Sequence, residues 1–194
     1  MGTVRKNQTQ KQFIDDFVLA ANLANETGAK VLEANLSCPN IGNEGLVCYN
    51  LEATERVVKA IRAVIGDTPL ILKVGYYKNW QDIEKIAEIT HEYADAVAVI
   101  NTIQTEIVDE EGKQVLPGKN RLRSGVCGAS IKWAGLEMVE KLRNIRSEKK
   151  LKYEILGIGG VMTPDDYFEY RKAGADVVQS ATGAMWNADL AHDI

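Results

Sequence analysis

Two periods of hydrophobicity alternate along this chain. From Gln10 to Thr27 the apolar residues Phe13, Ile14, Phe17, Val18, Ala21 and Ala24 recur at helical spacing, and Gly28 follows as a C-cap. A short apolar run, Val31 to Leu36, then reads as a strand and leads into a loop rich in Gly, Asn and Pro. The same order repeats: helix Leu51 to Ile65, strand Leu70 to Val74, helix from about Gln81 to Tyr93, strand Ala96 to Ile100. After a longer interval come helix Ile131 to Ile145, strand Glu154 to Ile158, helix Thr163 to Ala173 and strand Asp176 to Gln179. Nearly continuous apolar strands between amphipathic helices predict a parallel α/β sheet buried on both faces.

One connection breaks the rhythm. Residues 101–130 separate the third strand from its following helix, a longer span than structureless loops usually have. Glu106-Ile107-Val108 and Gln114-Val115-Leu116 flank Asp109-Glu110-Glu111-Gly112, which predicts a β-hairpin excursion at about 104–118. Residues 1–194 are expected to form a single domain. Five β/α units do not close an eight-stranded barrel, which takes roughly 200–250 residues or more. The pattern therefore predicts either an open sheet or part of a larger barrel.

Composition narrows the function classes. With 45% hydrophobic and 26% charged residues the chain has ordinary globular composition. Its formal net charge of −4, without a basic block, argues against nucleic acid as a partner. No apolar run reaches the ~20 residues that span a bilayer. The opening MGTVRKNQTQKQF has no apolar segment of the secretory kind, so a cytoplasmic protein with no membrane association is expected. Three cysteines (Cys38, Cys48, Cys127) without a C-x-x-C pair indicate neither a disulfide framework nor a zinc site. The two histidines, His91 and His192, stand apart and outside any catalytic pattern, so no metal is expected and acid–base chemistry falls to Cys, Ser, Lys or carboxylates.

The candidate chemistry gathers after the C-terminal ends of strands, where barrel active sites are built. Asn35-Leu36-Ser37-Cys38-Pro39-Asn40 places two amides, a hydroxyl and a thiol within six residues. Amides offer a donor and an acceptor face, suited to a planar ring with alternating N–H and C=O groups. The alternative is an Asn/Pro turn with a buried cysteine. Lys73 ends a buried strand and can meet an anion or form a Schiff base, or it can be a plain exposed strand-end lysine. Asn101-Thr102 ends the next strand with another amide and hydroxyl. Gly159-Gly160 follows a strand and precedes Thr163-Pro164-Asp165-Asp166, a helix start with an N-cap and a proline in its first turn. Its backbone amides, with those of Thr182-Gly183 after the last strand, match the phosphate site common in barrels, although tight turns alone would also explain either pair.

In this order the residues resemble the dihydroorotate dehydrogenase family, FMN-dependent flavoproteins built on a (β/α)8 (TIM) barrel. The likeness runs from about Lys30 to Gly183. It rests on Asn-Leu-Ser-Cys-Pro-Asn, Leu-Glu-Ala-Thr-Glu, Leu-Lys-Val, Ile-Asn-Thr, Gly-Ala-Ser-Ile-Lys and Gly-Ile-Gly-Gly-Val. The resemblance implies the C-terminal five β/α units of such a barrel, as a partial chain, with the hairpin matching an insertion seen in the family. It implies Cys38 as catalytic base, as in class 1 members, where membrane-bound class 2 enzymes use serine. By the same likeness Lys73, Asn101, Gly128, Gly159, Gly160 and Thr182 contact FMN, and Asn35, Asn40, Asn101 and Thr102 bind the pyrimidine. Cys127 stands where the family usually has Gly or Ser, and Ala181 where it usually has Gly before the phosphate-binding threonine.

The function this implies is oxidation of dihydroorotate to orotate with hydride transfer to FMN, a step of pyrimidine biosynthesis. A small-molecule pyrimidine is then the partner, with a homodimer compatible and the electron acceptor left open among fumarate, NAD through a partner, and quinone. Three other readings make distinguishable claims. A dihydropyrimidine dehydrogenase-like flavoprotein would prefer rings without the carboxylate. A Schiff-base lyase using Lys73 would need no flavin, and a non-catalytic phosphate-binding partial barrel would bind FMN or phosphate without reducing it.

Overall fold

The computed structural model describes residues 9–37, 47–119 and 121–194. Its main element is a five-stranded parallel sheet, and its strands pair in the order in which they occur in that sheet's chain path. These strands are β1 (Leu32–Asn35), β2 (Leu70–Val74), β3 (Ala96–Val99), β6 (Glu154–Ile158) and β7 (Val177–Gln179). The helices between them are α2 (Leu51–Ile65), α3 (Trp80–Tyr93), α4 (Lys132–Lys149) and α5 (Pro164–Ala173), with α1 (Gln10–Glu26) ahead of β1. Two short helices, α6 (Thr182–Trp186) and α7 (Leu190–Asp193), follow β7.

Local sequence accounts for the helix ends. Thr9 and Gln12 form a capping box ahead of α1, and Asn50 accepts from the Ala53 amide at the start of α2. Thr163 and Asp166 form a second box at α5, with Pro164 in the first turn and Gly174 closing the helix at φ +115°. Helix α4 departs from expectation at both ends. It is preceded by a 3₁₀ turn over Gly128–Ile131, and it continues beyond Ile145 to Lys149. The apolar period stops at Ile145, but the last turn is solvated helix that brings Arg146 back toward the sheet.

The two faces of the sheet differ. Leu70, Leu72 and Val74 of β2, Val97 and Val99 of β3 and Ile155 of β6 are buried in one core with Val57, Val58 and Ile61 of α2, Ile83 and Ile86 of α3, and Met138 and Leu142 of α4. Truncating one such residue, Leu72→Ala for example, should cost about 2–5 kcal/mol through lost burial and the cavity left behind. The opposite face is a smaller cluster of Ala96, Ala98 and Leu156, flanked by Ile71 and Ile158. Lys73 alternates with Ile71 on this second face because strand side chains have period two. The face is thus apolar along most of its length, with Lys73 placing a charge near the C-terminal end of β2.

The hairpin is present, with a different ladder from the expected one. Its paired strands are β4 (Ile103–Glu106) and β5 (Arg123–Val126), antiparallel with Ile103 opposite Val126 and Glu106 opposite Arg123. Within the expected span of about 104–118 the pairing reduces to one bridge, Val108 with Gln114. The reason is exposure: β4 and most of the tip face solvent, so the apolar pairs Ile107-Val108 and Val115-Leu116 mark no buried face. Among the described residues, no helix is long and apolar enough to cross a membrane.

Candidate functional site

Parallel register brings every strand's C-terminal end to one edge of the sheet. Asn35 lies opposite Lys73, Lys73 opposite Ala98, Val99 opposite Gly157, and Ile158 opposite Gln179. Residues at and after these ends line a cavity of about 130 Å³. Lys73, Asn101, Thr102, Gly128, Gly159, Gly160 and Thr182 all line it, contributed by five segments far apart in the chain.

The polar groups at its mouth are chained together. Lys73 Nζ donates to Asn101 Oδ1 at 2.6 Å, and Asn101 Nδ2 donates to the Ser37 carbonyl. The Ser37 amide and hydroxyl in turn donate to Asn35 Oδ1 at 3.1 and 3.3 Å. Asn101 is therefore oriented from both sides, with its amide fixed between the lysine of β2 and the loop after β1. Asn35 does not line this cavity. It joins the cluster through Ser37 and lines a separate groove of about 100 Å³ between α1 and β1. Thr102 packs against the hairpin, since a Cβ on Gly125 would sit 2.4 Å from its hydroxyl oxygen. Cys38 and Asn40 lie outside the described residues.

At the other end of the cavity the chain turns on glycine. Gly128, Gly159 and Gly160 have φ of +76°, +123° and +72°, backbone that side chains rarely adopt. A Cβ on Gly160 would come within 2.7 Å of Lys132 Cβ and 2.9 Å of the Gly128 carbonyl, and one on Gly183 within 2.1 Å of the Val161 carbonyl. Among the described residues, neither the Gly159 nor the Gly160 amide pairs with a backbone carbonyl. Thr182 opens α6, whose first-turn amides have no acceptor within the helix, and its hydroxyl lies 3.5 Å from Cys127 Sγ. Such a cradle of backbone donors, narrowed until only glycine fits, suits an anionic oxygen group of phosphate size.

Behind the cradle, Lys132 Nζ bonds Asp166 Oδ1 at 2.6 Å and Glu169 Oε2 at 2.9 Å. Asp166 also accepts the Met162 and Thr163 amides at 2.8 and 2.9 Å. Burial acts to raise the Asp166 carboxyl, but Lys132 and these amides outweigh it and hold the group below the ordinary carboxylate range. Cys48 is different in kind: burial pushes its thiol up to about 11, so it is no candidate base. Sequence reasoning passed over Ser180, Ile131 and Ile158 in the lining. Ser180 could have been found, as a polar residue directly after a strand's C-terminal end. The two isoleucines could not be told from core.

An arc of parallel β/α units with an anion cradle after its last two strands is the site architecture of a phosphate-binding β/α barrel. The comparisons with known proteins make this specific. The sequence model of the family described as dihydroorotate dehydrogenase matches residues 2–194, and the chain belongs to that family. It is 33% identical over 183 residues to a dihydroorotate dehydrogenase of Dictyostelium discoideum, covering 92% of this chain and 50% of the relative. It is 34% identical over 172 residues to a protein of Bacteroides thetaiotaomicron named dihydroorotate dehydrogenase B (NAD(+)), catalytic subunit, covering 87% and 54%. The solved DHODH of Eimeria tenella in complex with ferulenol superposes with a TM-score of 0.76 at 17% identity, over 100% of this chain and 54% of that one. The chain thus spans about half the length of the curated relatives it matches.

Proposed function

We propose that this chain carries one half of the active site of an FMN-dependent oxidoreductase that converts dihydroorotate to orotate, in the cytoplasm, during pyrimidine biosynthesis. The observation that carries the reading is the convergence of Lys73, Asn101 and the Gly159-Gly160 turn on one cavity, in a chain of the dihydroorotate dehydrogenase family. FMN fits the residues present because its phosphate needs the glycine cradle and its ring system needs polar groups along the strand ends. Gly159, Gly160, Gly128 and Thr182 would hold the phosphate end, and Lys73 and Asn101 would face the ring.

When bound, FMN supplies a two-electron acceptor for hydride. The protein's own groups do the remaining work. Lys73, held by Asn101, keeps a positive charge at the cavity mouth, where it stabilises negative charge that develops during reaction. Asn101 and Thr102, with Asn40, read the ring's N–H and C=O groups, while Asn35 orders the chain beside them through its bonds from Ser37. Making the ring double bond also requires loss of a proton from the neighbouring carbon. Cys38, which stands between Asn35 and Asn40 in the sequence, takes that proton on its sulfur. A thiol with pKa near 8.5 ionises only slightly at neutral pH, so the step should quicken as pH rises toward that value.

The full-length protein should show an oxidised-flavin absorption spectrum that bleaches on anaerobic addition of dihydroorotate. Faster bleaching by a dihydropyrimidine lacking the carboxylate would move the assignment to the dihydropyrimidine dehydrogenase type. Flavin binding without reduction by either would leave only a phosphate-binding barrel.

A further inference from the structure

Tyr170 sits in α5 at a position whose helical spacing accounts for burial and nothing more. Its ring is fully buried, and its hydroxyl donates to the Gly159 carbonyl at 2.7 Å. Two glycines make room for it. A Cβ on Gly135 of α4 would lie 1.9 Å from the phenol oxygen, and one on Gly157 of β6 would lie 2.3 Å from the ring. Burial pushes the phenol well above its ordinary range, so it remains a proton donor at any working pH. Helix, strand and side chain are thus arranged around one hydrogen bond to one carbonyl of the glycine turn.

The peptide between Gly159 and Gly160 is trans, so its C=O and its N–H point in opposite directions. Tyr170 belongs to the core between sheet and helices and does not line the cavity, whereas Gly159 and Gly160 do. Drawing the Gly159 carbonyl toward Tyr170 therefore turns the Gly160 N–H the other way, toward the cavity. Glycine would otherwise leave this peptide freer to rotate than any other residue. The next parts of the turn are tied as well: Ser180 Oγ donates to the Val161 carbonyl at 2.8 Å, and Asp166 takes the Met162 and Thr163 amides.

We propose that Tyr170 is a positioning residue for phosphate recognition, its hydroxyl fixing the Gly159 peptide so that the Gly160 N–H is aimed at the phosphate group of the bound flavin. The inference rests on the reading of this cavity as the FMN site. It concerns discrimination, because riboflavin shares the ring system and lacks the phosphate.

The test is titration of the full-length protein and its Tyr170→Phe variant with FMN and with riboflavin, followed by flavin fluorescence. The wild type should bind FMN more tightly than riboflavin. Tyr170→Phe should lose about ten-fold of its FMN affinity, while riboflavin affinity stays within about two-fold, because only the phosphate contact loses its alignment. Inorganic phosphate should compete with FMN less well in the variant by a similar factor. Equal loss of both flavins would make Tyr170 merely structural and overturn the proposal. Unchanged FMN preference in the variant would overturn it while leaving the FMN reading intact. A wild type that does not distinguish FMN from riboflavin would overturn the phosphate reading and this inference together.

Discussion

At the N-terminal ends of the strands, Arg62 and Arg146 do nearly the same thing in two places. Arg62 of α2 donates to the Tyr93, Gly66 and Thr68 carbonyls and pairs with Asp95 at 2.6 Å, while Asp95 accepts the first amide of β2, at Leu70. Arg146 of α4 donates to the Tyr153 carbonyl and pairs with Asp176, which accepts the amide of Ile155 in β6. In each, a helix arginine grips the aspartate just before the next strand and pins the preceding one. The C-terminal ends of the same strands are built otherwise. There the chain places glycine amides, a lysine and amide side chains around a cavity. One end uses its polar groups to satisfy the fold, and the other gathers them around a cavity, the proposed flavin site. Polar residues at the two ends of one strand therefore call for opposite experiments.

The largest effect should come at the ligand end. Cys38→Ala in the full-length protein should slow substrate-driven flavin reduction by ~10²–10⁴-fold, with chemical reduction by dithionite unchanged, in single-turnover stopped flow. Near-normal reduction would remove Cys38 as the base. Asn101→Ala should weaken orotate binding by about ten-fold or more, because each lost partner leaves a buried polar group unsatisfied at about 1–3 kcal/mol. Binding that weakens equally for every pyrimidine tested, through loss of the bonds to Lys73 and Ser37, would reduce Asn101 to a scaffold for the lysine.

Asp176→Ala should act at the other end. It frees the Ile155 amide and the Arg146 guanidinium and should lower stability by about 1–3 kcal/mol in urea, with flavin affinity unaltered. The smallest effect is in acid. Burial acts to raise the Asp176 carboxyl, yet Arg146 and the Ile155 amide hold it below the ordinary carboxylate range. Its contribution is therefore complete above about pH 3.9, the unfolded value, and is lost as pH falls through the lower folded value. Comparing acid unfolding of wild type and Asp176→Ala should show the two converging in that window.

The five strands and four intervening helices were legible because burial and periodicity agree: Ala96–Val99 is apolar throughout and buried throughout. The turn chemistry was equally plain at Thr163-Pro164, where cap and proline mark one helix start. The hairpin register was not, since β4 exposes residues on both faces and leaves no alternation to read. Lys73, Asn101 and the glycine pair stood out by their place after strand ends. Tyr170 did not, because helical spacing reports that a residue is buried and says nothing of where a hydroxyl points. The Asp95 and Asp176 clamps were hidden for a related reason: each aspartate stands at the start of a strand and looks like any turn or strand-end residue until its arginine partner is known.

The contrast between the two ends can be tested in one experiment, the rise in thermal midpoint that saturating FMN produces in wild type, Gly160→Ala and Asp176→Ala. A ligand that binds only the folded state raises stability according to its affinity, whatever the starting midpoint. Asp176→Ala should melt lower than wild type and keep the full FMN-induced rise, while Gly160→Ala, whose new Cβ meets Lys132 and the Gly128 carbonyl, should lose most of it. A full rise in Gly160→Ala, or its disappearance in Asp176→Ala, would contradict the assignment of the cavity as the FMN phosphate site.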